Sequence, residues 1–398
     1  MKDKRIELLS PAGDFERLKI ALLYGADAVY FGGQEYSLRA NASNFSKEEI
    51  KKACEFAHER GKKVYLTLNI VFHNEDIEGV YEFIKDVVAC GIDAFIVSDP
   101  FLIKYIKENF KNVEVHLSTQ GSTTNIESVK FFQKQGIDRI VLAREVTRDD
   151  IKKIIDETGM DIEVFIHGAM CTFYSGRCVL SNYFTNRDSN RGGCSQICRF
   201  AFDMDGFDEK FTMATKDLNL SYHIKDMIDI GIKSLKVEGR MRSLYYLATV
   251  IGTYRKIIDR CYDNTLDEEF LRHEVKVLGR VANRENSTHY YDKEADATDQ
   301  YYTGRQEMSN QDFLGFITDY DKENKIVTLL ERNYFKVGDE VEIFTPNKDV
   351  YSFTIKEMYD EFDNPLDVAR HPEQVIKIKL EEDFNIVENS MMRIKVED

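Results

Sequence analysis

Short apolar runs alternate with longer stretches of helical spacing through residues 1–265 of the chain. Each run is four or five residues long, as expected for parallel strands that are buried on both faces. Eight such strands are predicted, at residues 6–9, 28–31, 64–68, 94–97, 113–116, 139–142, 162–166 and 234–237. Eight strand–helix units favour a TIM-like (β/α)8 barrel, and a doubly wound sheet with extra strands is the alternative.

The pattern changes to a period of two from Phe313 onward. Six strands are predicted there, at residues 313–318, 325–330, 340–344, 351–356, 375–380 and 392–396. Alternating strands separated by turn residues indicate a small C-terminal antiparallel β-barrel domain. We therefore predict a catalytic barrel over residues 1–265, a helical and polar linker over 266–305, and a C-terminal domain over 306–398.

One unit of the predicted barrel is much longer than the others. After the seventh strand, about 65 residues separate His167 from Gly231, whereas βα connections normally need only a few residues. Long insertions at the carboxyl ends of barrel strands commonly carry chemistry. We expect a functional site in this insertion, about residues 167–231.

Charge limits the classes of partner. The chain has 54 basic and 70 acidic residues and a formal net charge of −16, so its overall field does not attract nucleic acid. Any RNA must meet a local basic surface. The sequence contains no apolar stretch of membrane-spanning length, and its first residues lack an apolar signal segment, which predicts a cytoplasmic protein without a membrane partner.

Four of the seven cysteines lie within the insertion, with the spacing C-x6-C-x15-C-x3-C: Cys171, Cys178, Cys194 and Cys198. Four thiolates can hold a tetrahedral zinc ion or an iron–sulfur cluster. Structural zinc prefers closely spaced pairs, whereas a larger cluster tolerates the wide first pair. The spacing therefore favours a 4Fe–4S cluster, with zinc and the absence of a metal as alternatives.

Several segments of the chain together resemble the signatures of peptidase family U32. They are ELLSPAG at 7–13, GADAVYFGG at 25–33, HLSTQ at 116–120, EVFIHGAMC at 163–171, GRCVLS at 176–181 and KVEGRMR at 236–242. The resemblance covers about residues 5–260, and the C-terminal domain resembles that of the longer members. It implies that the four clustered cysteines hold an iron–sulfur cluster.

The resemblance also implies a set of functions. The longer members include bacterial enzymes that hydroxylate the wobble uridine of tRNA to 5-hydroxyuridine, with prephenate implied as the hydroxyl donor. Relatives hydroxylate a cytidine of 23S rRNA or assist ubiquinone hydroxylation, and the family name records a collagenase-like peptidase. The leading hypothesis is a tRNA hydroxylase. The alternatives are an rRNA hydroxylase, a peptidase, and a non-catalytic cluster-bearing subunit that works with a paralogous family member.

The sequence offers the peptidase alternative no catalytic motif, because it contains neither HExxH nor G-x-S-x-G. Polar residues that end the predicted strands instead suggest a polar pocket. The candidate catalytic residues are His116, Gln120, His167, Glu238 and Arg240. Either histidine could move protons, and Arg144, Arg240 or Arg177 could hold the carboxylates of prephenate.

Residues 168–200 carry a local charge of +3, from four arginines against Asp188. Two of those arginines, Arg187 and Arg191, are predicted to contact RNA phosphates. Aromatic residues interleave with the arginines, as stacking on an unpaired base requires. In the alternative interpretation, the aromatic residues shield the cluster from water and the arginines balance its negative charge.

Overall fold

The structure is a computed structural model, and it describes residues 5–38, 44–206, 208–281, 284–301 and 311–397. The chain forms two compact units. The barrel unit comprises Met1–Leu22, Ala26–Arg242 and Arg284–Glu307, and the C-terminal unit comprises Leu23–Gly25, Ser243–Asn283 and Met308–Asp398. No described helix is long and apolar enough to cross a membrane.

The barrel unit contains all eight predicted strands. Its strands are β1 (Glu7–Pro11), β2 (Ala28–Gly32), β3 (Lys63–Leu68), β4 (Ala94–Val97), β5 (Glu114–Leu117), β6 (Arg139–Val141), β7 (Asp161–Ala169), β8 (Ala214–Thr215), β9 (Asp217–Asn219), β10 (Ser234–Val237), β11 (Asn286–Ser287) and β12 (Gln300–Tyr301). Strands β1 to β7 pair in parallel in chain order, and β10 pairs with both β7 and β1. This closure confirms the TIM-like barrel and excludes the open doubly wound sheet.

Helices follow the barrel strands as predicted. They are α1 (Phe15–Leu23), α2 (Lys47–His58), α3 (Asn74–Ala89), α4 (Pro100–Asn109), α5 (Ile126–Lys134), α6 (Arg148–Thr158), α7 (Leu180–Thr185) and α8 (Ile224–Asp229). Local capping explains several boundaries: Ser46 and Glu49 form a capping box that starts α2, and Gly159 in the left-handed conformation ends α6.

The amino-terminal halves of the barrel strands enclose an ionic network. Arg139 donates to Glu7 (2.5 Å) and Glu163 (3.2 Å), and Lys236 donates to Glu163 (2.8 Å). Burial alone would raise the pKa of Glu163, but the charges of Lys236 and Arg139 outweigh it and lower that pKa to about 2. Charged residues are tolerated inside the barrel because each has a hydrogen-bonded partner of opposite charge.

Residues 284–301 were expected to be part of a linker, but they are built into the barrel unit. Strand β9 pairs antiparallel with β7, β11 pairs in parallel with β9, and β12 pairs antiparallel with β8. We call residues 284–301 the strap. The strap therefore extends the sheet layer that holds the second half of the cysteine insertion.

The C-terminal unit confirms the predicted antiparallel domain and adds two helices to it. Its elements are α9 (Leu244–Asp263), α10 (Glu268–Gly279), β13 (Phe313–Asp321), β14 (Ile326–Glu331), β15 (Phe335–Lys336), β16 (Glu340–Phe344), β17 (Val350–Thr354), β18 (Glu357–Tyr359), β19 (Pro365–Leu366), β20 (Val368–Ala369), β21 (Val375–Lys379) and β22 (Met391–Ile394). Eight of these strands form one sheet in the order β17-β16-β22-β13-β14-β21-β18-β19.

The two units do not follow the predicted boundary at residue 265. Helix α9 groups with the C-terminal unit because thirteen of its twenty residues are buried and it packs against α10. The predicted boundary at residues 305 and 306 lies outside the described residues.

Candidate functional site

A cavity of about 170 Å³ lies beyond the carboxyl ends of β5, β6 and β7. All four clustered cysteines line it, together with Gln120 and Arg144. Gln120 and Arg144 each follow the carboxyl end of a barrel strand, which is where barrel enzymes build their active sites. The cysteine insertion therefore lies at the same end of the barrel as these predicted site residues.

Two glycines let the insertion approach the barrel closely. Gly168 has a φ of +107°, and a Cβ atom there would lie 2.4 Å from the carbonyl oxygen of Glu238. Gly176 has a φ of +76°, and its Cβ would lie 2.5 Å from the carbonyl oxygen of Gln120. Any larger residue would push the loop out of place, which explains why glycine stands at both positions.

Backbone contacts hold the cysteine loop in shape. The carbonyl oxygen of Cys178 accepts hydrogen bonds from Ser189 Oγ (2.6 Å) and Asn190 Nδ2 (2.8 Å). The carbonyl oxygen of Cys198 accepts from the backbone N–H of Met213 (2.9 Å), just before β8. These bonds fix the backbone of the loop, and its four cysteines are all free thiols.

The donor chemistry of the cavity suits a soft metal centre. Its donor set is four thiols, and burial raises the pKa of Cys171 to about 11 and also raises that of Cys198. Among the described residues, no three histidine, cysteine or acidic side chains converge as a single metal ion requires. Four thiols are a donor set that both an iron–sulfur cluster and a structural zinc ion use.

Gln120 presents an unsatisfied polar atom at the cavity. It lies on a 3-10 turn (Thr119–Gly121), and its backbone N–H donates to Ser118 Oγ (3.2 Å). Its Oε1 atom is buried and has no hydrogen-bond partner within the described part of the chain. Because Gln120 also lines the cavity, this acceptor can bind a ligand or an ordered water there.

The other predicted catalytic residues do not line this cavity. His116 lies inside the barrel, where Nε2 is 2.9 Å from Glu114 Oε2 and the ring contacts Tyr65. His116 therefore lies with the ionic network inside the barrel and not at the cysteine cavity. Burial lowers the pKa of its imidazole. His167 is buried on β7, and burial followed by the charge of Arg242 lowers its pKa to about 3.

Glu238 and Arg240 lie next to the end of β2. Glu238 Oε2 accepts a hydrogen bond from Tyr30 (3.2 Å), a residue of β2. The buried Arg240 side chain lies so close to Gly32 that a Cβ there would be 2.7 Å from Nη1. The structure thus brings Gln120, Arg144 and the cysteines together at one cavity, and places Glu238 and Arg240 beside another strand of the barrel.

The predicted RNA-contacting arginines differ in environment. Arg187 is exposed, and within the described chain its guanidinium makes no hydrogen bond or ion pair. Arg177 is exposed and its Nε donates to Ser122 Oγ (3.3 Å). Arg191 instead forms a bidentate ion pair with Asp76 of α3, which ties the cysteine loop to the barrel wall.

Aromatic side chains stand in the solvent around these arginines. Tyr183 is 84% exposed, Tyr174 62% and Phe184 60%. We call Tyr174, Tyr183, Phe184, Arg177 and Arg187 the stacking rim. Exposure of this degree shows that Tyr183 does not serve to cover the cavity, so the shielding interpretation does not account for it.

Two residues support the site from outside the insertion: Glu145, which the sequence places only among the polar residues that end the strands, and Arg284, which sequence reasoning missed. Glu145 accepts hydrogen bonds from the backbone N–H (3.0 Å) and Oγ (3.1 Å) of Ser175. In the strap, Arg284 is 1% exposed and its Nε lies 2.9 Å from Asp217 Oδ1. The signal for Glu145 was its place next to Arg144, whereas no local pattern links Arg284 to Asp217.

Comparison with known proteins agrees with this arrangement. The model of peptidase family U32 matches residues 13–301, and the model of the family's C-terminal domain matches residues 309–393. The chain is 45% identical over 405 residues to tRNA hydroxylation protein P1 of Bacillus subtilis, a match that covers 98% of this chain and 95% of the relative.

Two further relatives bear other names. The chain is 39% identical to a 23S rRNA 5-hydroxycytidine synthase of Escherichia coli, a match covering 64% of this chain and 39% of that protein. It is 33% identical to a protein named collagenase from Porphyromonas gingivalis, covering 88% of this chain and 89% of that protein.

Proposed function

We propose that this chain, which belongs to peptidase family U32, hydroxylates the wobble uridine of tRNA to 5-hydroxyuridine. The observation that carries the proposal is the cavity at the carboxyl ends of β5 to β7, where four thiols, an arginine and an unsatisfied glutamine meet. The relative named as a tRNA hydroxylation protein matches almost the whole chain, including the C-terminal unit. The rRNA relative matches only 64% of it, which favours tRNA as the substrate.

The proposed cofactor is a 4Fe–4S cluster held by Cys171, Cys178, Cys194 and Cys198. Such a cluster would supply one-electron redox chemistry beside the cavity. Prephenate is the proposed hydroxyl donor. The residues of this chain would bind the donor, orient the base and limit the access of water, with Gln120 offering a hydrogen-bond acceptor. Uracil carries an N–H group on its pairing edge that such an acceptor can bind.

The stacking rim is the proposed RNA contact. Its aromatic side chains are exposed enough to stack on unpaired bases, and its two arginines can meet phosphates. The wobble position lies in a single-stranded loop, and sequence-specific RNA recognition mostly targets such loops. The net charge of −16 repels RNA. A local basic and aromatic surface can still bind it, because salt screens the distant charges and the contact depends on those nearby.

The test is the nucleoside composition of tRNA from a strain that lacks the gene for this chain. We expect 5-hydroxyuridine and its derivatives to disappear, to return with the wild-type gene, and to stay absent with a Cys171→Ser gene. An unchanged tRNA profile would contradict the proposal. A changed 23S rRNA profile would support the rRNA alternative, and cleavage of gelatin by the purified chain would support the peptidase alternative.

Reconstitution with pure components tests the donor and the partner. The purified chain should hydroxylate a tRNA pool only when prephenate is added. If it is inactive alone but active after addition of a second family member, then the chain works as one subunit of a paralogous pair.

A further inference from the structure

Arg144 stands in the wall of the cysteine cavity with unused hydrogen-bonding capacity. Its Nη1 donates to the carbonyl oxygen of Ala169 (2.8 Å), and its guanidinium lies over the ring of Phe165 at 3.9 Å. Its Nε is buried and has no partner among the described residues. The side chain is therefore held in place from one side while part of its fork remains available.

No described carboxylate pairs with Arg144, which is unusual for this chain. The buried arginines Arg139 and Arg284 each bond to an aspartate or glutamate, and so does Arg191 of the cysteine loop. The adjacent carboxylate of Glu145 is engaged with Ser175 instead. In a chain with 70 acidic residues, an arginine kept free of them inside a cavity is poised for an anion from outside.

We infer that Arg144 is the binding residue for an oxyanion of a reactant, and that this oxyanion is a carboxylate of the small hydroxyl donor. A phosphate of the RNA has the same charge and a similar geometry. Arg144 lies in the cavity wall beside the cysteines, however, whereas the exposed arginines of the stacking rim are available to the RNA backbone. The inference rests on the proposed function for the identity of the reaction, but the anion site itself can be measured without turnover.

The experiment is isothermal titration calorimetry on the full-length protein with two probes, prephenate and a 17-nucleotide anticodon stem-loop RNA. Arg144→Gln removes the charge at nearly constant size, and Arg144→Lys keeps the charge but loses the planar fork. The matched control is Arg60→Gln, because Arg60 is exposed at the end of α2 and also lies over a phenylalanine ring, that of Phe56 at 3.7 Å.

We expect Arg144→Gln to weaken prephenate binding about 30-fold or more, as the loss of a charge-assisted bond normally does, and to leave RNA affinity within about twofold. Arg144→Lys should fall between wild type and Arg144→Gln, and Arg60→Gln should match wild type. Iron content and thermal unfolding, measured on the same samples, show whether a variant is folded and loaded.

Two results would overturn the inference, and a third would overturn only the proposed function. Unchanged affinity for both probes in a folded Arg144→Gln protein would refute the anion site. A loss of RNA affinity with unchanged prephenate binding would refute the carboxylate assignment and identify a phosphate instead. If wild-type protein binds prephenate through Arg144 but hydroxylates no tRNA, then the proposed function fails while the anion site stands.

Discussion

Replacing Arg284 by methionine tests whether the strap is part of the site's support. Arg284 is buried, its Nε lies 2.9 Å from Asp217 Oδ1, and its Nη1 donates to the carbonyl oxygen of Thr215 (2.8 Å). Thr215 and Asp217 lie on β8 and β9, next to Met213, which binds the backbone of Cys198. Loss of the guanidinium leaves the carboxylate of Asp217 buried, with the backbone N–H of residue 284 (3.2 Å) and the guanidinium of Arg242 (3.6 Å) as its remaining partners.

The expected cost follows from that geometry. Breaking a buried ion pair by removing one partner typically costs about 3–5 kcal/mol, because the remaining charge is desolvated and uncompensated. For a unit of this size, each kcal/mol shifts the midpoint of thermal unfolding by roughly 2–4 °C. We therefore expect Arg284→Met to lower that midpoint by roughly 10 °C, and to reduce the protection of amides in β8 and β9 against hydrogen exchange.

Two variants make the result decisive. Asp217→Asn combined with Arg284→Met removes both charges, so the double variant should be more stable than the sum of the two single losses predicts. Arg332→Met removes a half-buried arginine that pairs with the exposed Glu373 at 3.0 Å, and it should cost less than about 1 kcal/mol. A loss below about 1 kcal/mol for Arg284→Met, with unchanged exchange in β8 and β9, would refute the reasoning.

Three further expectations follow from the site. Cys171→Ser should reduce anaerobically measured iron from about four atoms per chain to well below one, whereas Cys90→Ser, outside the insertion, should leave it unchanged. Arg187→Ala should weaken RNA binding and lower its salt slope by about one, whereas Arg191→Ala should chiefly destabilise the fold through the loss of its bidentate ion pair. His167 has a pKa of about 3 in the folded protein, so it stays neutral there, whereas in the unfolded chain it is protonated below about pH 6.5. The free energy of unfolding should therefore fall by about 2 kcal/mol between pH 6.5 and 5. His167→Gln should flatten that pH dependence in urea titrations.

Most of the barrel could be predicted because parallel strands that are buried on both faces have continuous apolar sequences. Glu163 and Lys236 lie within two of those runs, yet they do not interrupt the strands because they neutralise each other inside the barrel. The strap could not be predicted for a physical reason: β11 and β12 are two residues long, and no periodicity can be read from so short a strand.

The site was predicted in part. Cysteines of one insertion and residues that end neighbouring strands meet because the topology forces them to, and so Gln120 and Arg144 join the cysteine cavity. The direction in which the side chain of a strand residue points is harder to predict from sequence. His116 lies one residue before the end of β5, but its side chain faces the barrel interior and pairs with Glu114. The partners of arginines are also invisible in sequence, as the ion pair of Arg191 with Asp76 shows.

The distribution of charge favours the stacking rim over the C-terminal unit as the surface that contacts RNA. Residues 308–398 hold 21 acidic and 11 basic residues, so this segment alone carries −10 of the net −16. Its field repels a polyanion, whereas residues 168–200 carry +3 and expose aromatic rings. Because electrostatic repulsion and attraction are both screened over about 10 Å at 0.1 M salt, the local surface decides the contact. RNA binding should therefore depend on the stacking rim and fall steeply with salt. An RNA affinity that survives Tyr183→Ala combined with Arg187→Ala, but is lost on charge reversal in the C-terminal unit, would place the contact elsewhere.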